Sequence, residues 1–228
     1  MGGVLQRART SGYGAIARGR NLLAALVVVA TPAISEPVTI AALGDSLTQG
    51  YGLVPDQGFV PRLEGWLREQ GAEVALINAG VSGDTTSGGL ARVDWTLTPD
   101  VDGLIVALGG NDLLRGIDPA LSRSNLDGIL AAAQARDLPV LLVGLEAPGN
   151  YGADFKAAFE AIFPELSAQY DTLLYPDFLA PLTAETDRNG ALRLYMQGDG
   201  IHPNAAGVER IVEGIGPSVL ALIEQAED

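Results

Sequence analysis

The sequence predicts an α/β fold built on a single parallel sheet, because short apolar runs alternate with stretches of helical periodicity along the chain. Several of the runs are apolar throughout, which is typical of strands covered by helices on both faces. The 228 residues, of which 47% are hydrophobic, suffice for one domain with a sizeable core. No cysteine is present, so disulfides do not contribute to the stability of the fold.

Five strands and five helices are predicted in alternation. The predicted strands cover residues 38–43, 73–78, 103–108, 140–145 and 172–175. The predicted helices cover residues 60–70, 87–97, 120–135, 154–169 and 205–225. Pro164 is expected to break or kink the fourth helix, because proline has no backbone N–H to donate. Strands joined by helices imply right-handed crossovers, and sites in such sheets lie beyond the carboxyl ends of the strands.

The first 35 residues differ in composition from the rest of the chain. Their only charges are four arginines, and an apolar run of about 13 residues follows, at 22–34. About 20 apolar residues are needed to span a bilayer. Ala33 and Ser35 are small residues two apart, as a signal-peptidase site requires. We therefore expect residues 1–35 to be a signal peptide cleaved near Ser35 and residues 36–228 to be periplasmic or secreted; an uncleaved membrane anchor is the alternative.

The charge distribution bears on the partners of the protein. All 28 acidic residues and 10 of the 14 basic residues lie after Ser35, so the net charge there is −18. Such a surface repels polyanions and has no basic patch, which argues against nucleic-acid binding. One histidine and no cysteine argue against a transition-metal site. We expect no metal, no stable membrane insertion after cleavage, and a monomer.

Ser46 follows the first predicted strand directly, in the run Gly44-Asp45-Ser46-Leu47. At a strand-to-helix turn its hydroxyl would lie at the edge of the sheet, where a helix N-terminus stabilises developing negative charge. The surrounding residues do not form the Gly-x-Ser-x-Gly nucleophile elbow. A serine that caps the following helix is the alternative interpretation.

Candidates for stabilising an oxyanion follow the second and third strands. Asn111 comes just after the third strand, and its amide is an uncharged donor suited to a tetrahedral oxyanion. Gly83, after the second strand, could offer its backbone N–H to the same oxyanion, with Gly80 as a less favoured choice. The alternatives are an asparagine turn or helix cap and a glycine that serves only a turn.

His202 is the only histidine of the chain, and Asp199 lies three residues before it in a loop that precedes the last helix. That spacing lets the carboxylate accept a hydrogen bond from one ring nitrogen while the other nitrogen faces a serine hydroxyl. Such an arrangement is what acyl transfer by a serine nucleophile requires. A structural or solvated loop histidine is the alternative interpretation.

Four motifs, in this order, resemble the GDSL or SGNH hydrolase family over roughly residues 37–225. They are Gly-Asp-Ser-Leu, Asn-Ala-Gly-Val-Ser-Gly-Asp-Thr, Leu-Gly-Gly-Asn-Asp-Leu-Leu-Arg-Gly and Asp-Gly-Ile-His-Pro. The last three, and residues 148–152, are similar to the bacterial acyl-thioesterase, arylesterase and lysophospholipase branch. The resemblance implies a flavodoxin-like three-layer α/β/α sandwich with about five parallel strands and a reaction that needs no cofactor.

The same resemblance implies the roles of the candidate residues. Ser46 would be the nucleophile, His202 its base, and Asp199 the carboxylate that orients His202. The backbone N–H groups of Ser46 and Gly83, together with the side-chain amide of Asn111, would bind the oxyanion. Each of these residues lies within one of the four motifs.

The leading hypothesis is therefore a serine esterase that acts on small acyl esters or thioesters through an acyl-enzyme. Loops near the motifs supply the candidate pocket residues Leu113, Leu114, Tyr151, Met196 and Ile201. A carbohydrate O-acetylesterase and a catalytically silent binding module remain as alternatives. A flavodoxin-like signalling domain with Asp45 as phospho-acceptor is a further alternative, against which the signal peptide and the His202 motif argue.

Overall fold

The computed structural model describes residues 37–227, so the predicted signal peptide lies outside the described residues. The strands are β1 (Val38–Gly44), β2 (Val74–Gly80), β3 (Gly103–Ala107), β4 (Val140–Val143) and β5 (Leu173–Tyr175). They form one parallel sheet in the order β2-β1-β3-β4-β5. The predicted parallel sheet is confirmed, and each strand lies within two residues of its predicted bounds.

Eight α-helices accompany the strands in the described part of the chain. They are α1 (Ser46–Gln49), α2 (Phe59–Glu69), α3 (Thr86–Thr96), α4 (Gly110–Arg115), α5 (Pro119–Gln134), α6 (Ala153–Tyr170), α7 (Arg188–Tyr195) and α8 (Ala205–Glu227). The five longest match the five predicted helices, whereas α1, α4 and α7 were not predicted. Within residues 37–227, none of these helices has the length and apolarity needed to cross a bilayer.

Helices cover the sheet on both faces, which confirms the predicted three-layer arrangement. Alternate residues of β1 point to opposite faces, as the pleat of a strand requires. Ile40 and Ala42 belong to a core shared with α2 and α8, and Ala41 and Leu43 to a core shared with α3, α5 and α6. All four side chains are fully buried. The continuously apolar runs of the sequence therefore reflect burial on both faces of the sheet.

Of the two effects predicted for Pro164, the break is wrong, because α6 continues through this residue, whereas the kink stays a prediction. A proline inside a helix costs about 3 kcal/mol. Four apolar side chains of the same helix, Phe159, Ile162, Phe163 and Leu166, are almost completely buried. Each contributes roughly 1.5–3 kcal/mol on burial, so the packing of the helix outweighs the lost hydrogen bond.

The carboxyl ends of β1, β2 and β3 lie side by side, and each leads into a segment with a candidate residue. Gly80, at the end of β2, has no room for a side chain, because a Cβ there would collide with the backbone N of Gln49 in α1. The first helical turn after β1 is therefore pressed against the neighbouring strand end. This close approach fixes the direction in which α1 leaves the sheet and so fixes Ser46.

Candidate active site

Ser46 is the first residue of α1, and the residue that caps this helix is Asp45. The Oδ1 atom of Asp45 accepts a hydrogen bond of 3.0 Å from the N–H of Leu47. The interpretation of Ser46 as a helix cap is therefore wrong. Because the cap is supplied by its neighbour, the Ser46 hydroxyl is available for another partner, and its Oγ lies 2.9 Å from Nε2 of His202.

His202 and Asp199 lie in the loop before α8, and the structure brings both of them to Ser46. The Nδ1 atom of His202 is 2.6 Å from Oδ2 of Asp199. An ionised carboxylate can only accept, so Nδ1 carries the hydrogen and Nε2 presents its lone pair to the Ser46 hydroxyl. The chain of contacts therefore has the geometry of a serine nucleophile with an oriented base.

Asp199 is held in its ionised form by the same loop. The hydrogen bond with the His202 ring, and further bonds from the backbone N–H groups of His202 and Ile201, lower the pKa of Asp199 to about 2. Its Oδ1 accepts those two backbone bonds at 3.0 and 2.9 Å. One oxygen of the carboxylate thus holds the backbone of the loop, while the other oxygen faces the imidazole.

Two residues that the sequence did not reveal as candidates hold His202 in place. The backbone N–H of Gln197 donates to the carbonyl of His202 over 2.7 Å. The Nε2 atom of Gln197 donates to the carbonyls of Tyr51, at 2.8 Å, and Pro203, at 2.9 Å. The ring of Tyr51 lies against the imidazole, with 4.5 Å between centroids. The two contacts of Tyr51, with Gln197 and with His202, join segments about 150 residues apart, which no local pattern signals.

Asn111 is the second residue of α4, whose cap is Gly109, so the interpretation of Asn111 as the helix cap is wrong. Its Nδ2 donates to Oδ2 of Asp45 over 3.2 Å. An amide nitrogen carries two hydrogens, and one bond to Asp45 leaves the second for another acceptor. Asn111 and Ser46 line the same cavity.

Of the two glycines considered, Gly80 already uses its backbone N–H, which donates to Oδ1 of Asn78 over 3.0 Å. Gly83 is exposed and has a φ of 82°. It lies in a turn that is closed by a hydrogen bond from the N–H of Asp84 to the carbonyl of Val81. The positive φ explains why glycine is needed there, whatever further role its N–H has. Gly83 is not among the residues that line the cavity beside Ser46.

A cavity of about 270 Å³ opens beside Ser46 and Asn111. All five predicted pocket residues lie on its wall: Leu113, Leu114, Tyr151, Met196 and Ile201. The sequence did not single out the further apolar lining residues Leu145 and Leu179. Leu113 is buried, whereas Leu114, Tyr151 and Ile201 are 42–58% exposed and form an open, apolar rim. Between residues 37 and 227, no group of three carboxylate, histidine or cysteine side chains is placed to hold a metal.

Asp45 is a buried carboxylate that the sequence analysis considered only as a phospho-acceptor and gave no role in a hydrolase site. Burial raises the pKa of Asp45 to about 6, although the bonds from Leu47 and Asn111 and the charge of His202 lower it. The nearby charge of Asp112 raises this pKa further. As the pH falls through about 6, Asp45 gains a proton, and the acceptor that orients the Asn111 amide is altered.

Asparagine in place of Asp45 is expected to lower kcat by on the order of tenfold, less than the loss of a whole oxyanion donor. Asparagine still caps α1, but it offers an amide to Asn111. In the wild-type protein, protonation of Asp45 should contribute to the fall in kcat as the pH is lowered. In Asp45→Asn this contribution should be missing. Profiles measured between about pH 5 and 8 test this, and identical limbs would contradict it.

The same variant has a predicted effect on stability. A carboxyl group whose pKa is raised by folding destabilises the folded state when it is ionised, and this penalty disappears as the pH falls below the unfolded value of about 4. Asp45→Asn should therefore gain in melting temperature relative to wild type as the pH rises from about 4 to 8. A difference that does not change with pH would contradict the burial of an ionised Asp45.

A serine linked through histidine to aspartate at the carboxyl edge of a parallel sheet is typical of hydrolases that use a serine nucleophile. A model of the GDSL-like lipase/acylhydrolase family matches residues 42–210. The chain belongs to this family. Esterase TesA of Pseudomonas aeruginosa is 37% identical over 200 residues, which cover 87% of this chain and 95% of that protein.

Two further proteins are similar over most of the chain. Thioesterase 1/protease 1/lysophospholipase L1 of Escherichia coli K12 is 35% identical over 168 residues, or 73% of this chain and 76% of that protein. The crystal structure of AlinE4, an SGNH-hydrolase family esterase, superposes with a TM-score of 0.67. It is 43% identical and covers 83% of this chain and 98% of its own. The resemblance stated from the motifs is thus confirmed.

Proposed function

We propose that this ester hydrolase acts through a catalytic triad of Ser46, His202 and Asp199 on acyl esters and thioesters. The observation that carries the proposal is the 2.9 Å contact between Ser46 Oγ and His202 Nε2, backed by the 2.6 Å contact of His202 with Asp199. Ser46 also lines an apolar cavity that suits an acyl group. The names of the relatives, which are esterases and a thioesterase, agree with this reaction class.

The reaction proceeds in two stages. His202 Nε2 accepts the hydroxyl proton while Ser46 Oγ forms a bond to the acyl carbon. The tetrahedral intermediate collapses, and the proton passes from His202 to the leaving alcohol or thiol as its bond to the acyl carbon breaks. In the second stage, water gives a proton to His202 while its oxygen bonds to the acyl carbon. The bond from the acyl carbon to Ser46 Oγ then breaks, His202 returns the proton to Oγ, and the carboxylic acid is released.

The oxyanion of each tetrahedral intermediate is bound by the backbone N–H groups of Ser46 and Gly83 and by the side chain of Asn111. Ser46 opens α1, so its N–H is one of the amide groups at the start of a helix that have no partner within the helix. Gly83 is favoured over Gly80 as the second backbone donor, because the N–H of Gly80 already donates to Oδ1 of Asn78.

Alanine in place of Asn111 should lower kcat by on the order of 10²–10³, as for the loss of one oxyanion donor, with little change in KM. The bond to Asp45 is also lost, but that carboxylate keeps its bond from Leu47. Steady-state kinetics with a nitrophenyl ester measures the effect. An Asn111→Ala enzyme that retains its kcat would exclude the side chain from the oxyanion site.

The substrate is proposed to be an ester or thioester whose acyl chain is longer than acetyl. Each buried methylene contributes about 0.8 kcal/mol, or roughly fourfold in kcat/KM, so activity on nitrophenyl esters and matched thioesters should rise until the cavity is full. Leu114→Ala should flatten this rise, whereas Leu121→Ala, which removes an exposed leucine outside the cavity, should not. A preference for acetylated sugars with no effect of chain length would favour the carbohydrate O-acetylesterase instead.

The domain assignment and the location of the protein also belong to the proposal. We infer that residues 1–35 direct export and are removed near Ser35, which leaves a monomer in the periplasm or the medium. The four arginines followed by a short apolar run support this. Intact mass of the protein from the native envelope fraction should show a chain that begins near Glu36, and retention of the arginines would contradict cleavage.

A further inference from the structure

The turn that carries Gly83 is bonded to the side chains of two helices. Ser82 donates from its hydroxyl to Oε1 of Gln49 over 2.9 Å. Arg115 donates from Nη2 to the carbonyl of Gly83 over 2.8 Å. Gln49 is the last residue of α1 and Arg115 the last residue of α4. Two consecutive residues of one turn are thus tied to two separate helices.

These are the two helices that hold the other proposed oxyanion donors. Ser46 opens α1, three residues before Gln49, and Asn111 lies in α4, four residues before Arg115. Residues three or four apart lie on the same face of a helix. Each helix therefore presents one donor and one side chain that reaches the turn of the third donor.

The turn depends on such bonds because little packs against it at Gly83. Outside Gly83 and its two chain neighbours, Nη2 of Arg115, at 3.7 Å, is the only heavy atom of the described residues within 4 Å of the position that a Cβ on Gly83 would take. Within residues 37–227, Arg115 makes no ion pair with a carboxylate, and its Nη2 donates to the carbonyl of Gly83. Its guanidinium is thus available to hold the Gly83 carbonyl.

Helix α4 is held in the interior by buried hydrogen bonds, so Arg115 extends from a rigid helix. Asp112 of this helix is 1% exposed. Its Oδ1 accepts from the hydroxyls of Thr86, at 2.6 Å, and Ser122, at 2.8 Å. The N–H of Thr86 donates to Oδ2 over 2.9 Å. These bonds tie α4 to α3 and α5 in the interior, and Arg115 extends that rigidity to the turn.

On the other side of Gly83, the turn is held through Asp84 by an arginine of α3. Arg92 of α3 donates to Oδ2 of Asp84 over 2.6 Å and to the carbonyls of Ala79 and Gly44 over 2.7 and 2.8 Å. This arginine joins the turn to the ends of β1 and β2. Its removal would disturb the sheet edge as a whole, so it offers no clean test of the donor geometry.

We propose that Gln49 and Arg115 are positioning residues that fix the N–H of Gly83 relative to the other two oxyanion donors. The inference rests on the proposed roles of Ser46, Gly83 and Asn111. Neither side chain touches the reacting atoms in this account. Both act on the turn, and their effect on the reaction comes through the placement of one backbone N–H group.

The test uses Arg115→Ala, Gln49→Ala and the double variant, assayed with an uncharged nitrophenyl ester. Each single change should lower kcat by on the order of tenfold and leave KM within about twofold, because a displaced donor acts mainly on the transition state. The double variant should lose more, with a limit of about 10²–10³ set by complete loss of one donor. Arg115→Lys, which keeps a donor of similar reach, should recover part of the loss.

Arg136→Ala is the matched control. Arg136 is an exposed arginine that donates to the carbonyl of Ala132 and to Asp94. It follows α5 and precedes β4, so it lies at the amino edge of the sheet, opposite the site. Its removal should leave kcat and KM unchanged, and all variants should keep the melting temperature of the wild type to within a few degrees, since the three side chains are exposed.

The outcomes separate the positioning role from its rivals. Unchanged kcat in both Arg115→Ala and Gln49→Ala, beside an inactive Ser46→Ala enzyme, would overturn the positioning role and leave the proposed function intact. A rise in KM confined to esters with an anionic leaving group would make Arg115 a substrate contact and also overturn it. An active Ser46→Ala enzyme would overturn the proposed function and this inference with it.

Discussion

Ser46→Ala and His202→Ala are each expected to remove nearly all turnover, by a factor on the order of 10⁶, as in the subtilisin series for the corresponding residues. In the proposed mechanism Ser46 supplies the atom that bonds to the acyl carbon, and His202, the only histidine of the chain, is its base. No other side chain of the site can take over either step. The double variant should be no less active than the single ones, because the two residues act as a unit.

The loss of activity should not reflect unfolding. The cap of α1 is Asp45, so removal of the Ser46 hydroxyl leaves the helix N-terminus satisfied. Melting temperatures of wild type and Ser46→Ala should agree to within a few degrees. A phosphonate ester should add once to the wild-type protein and not to Ser46→Ala, as measured by intact mass. Residual turnover above about 1% in a pure Ser46→Ala preparation would exclude Ser46 as the nucleophile.

The strands could be predicted from sequence because a sheet buried on both faces gives uninterrupted apolar runs. Val140–Val143 is such a run, and all four residues are buried. Helices α1, α4 and α7 escaped prediction because they have four, six and eight residues, which is too short for a helical period to stand out. Two of these short helices carry Ser46 and Asn111, so the elements nearest the site were the least predictable.

The candidate residues themselves could be found because each follows a strand end or precedes the last helix within a recognisable motif. Their supports could not be found in that way. Gln197 reaches Tyr51 across 146 residues, and Asn111 reaches Asp45 across 66. Such contacts follow from the folded arrangement of the strand ends, and an isolated sequence holds no local signal of them. The burial that raises the pKa of Asp45 arises in the same way.

Asp199→Ala is expected to lower kcat by on the order of 10⁴, less than the loss from Ser46→Ala, because the base remains but is no longer oriented. Asp199 holds the Nδ1 hydrogen of His202, so without it the imidazole can rotate or adopt the other tautomer. Asp199→Asn should be nearly as impaired, since an amide that donates to Nδ1 puts the hydrogen on Nε2, where it faces Ser46.

The control for Asp199 is Asp187→Asn, which replaces the cap of α7 with a residue that caps equally well and should leave kcat unchanged.

The pKa of Asp199 predicts how activity and stability depend on pH. The hydrogen bond from His202 is the largest of the contributions that lower this pKa to about 2, so the carboxylate stays ionised at any pH well above that value. Its depressed pKa stabilises the folded state above about pH 4, the unfolded value, and that contribution is lost as the pH falls through about 2. The acid limb of kcat for wild type should therefore contain no titration of Asp199, and the stability advantage of wild type over Asp199→Asn should shrink only below about pH 4. Kinetics and thermal melting between about pH 2 and 8 measure both, and an Asp199→Asn enzyme with more than a tenth of wild-type kcat would show that His202 is oriented by another group.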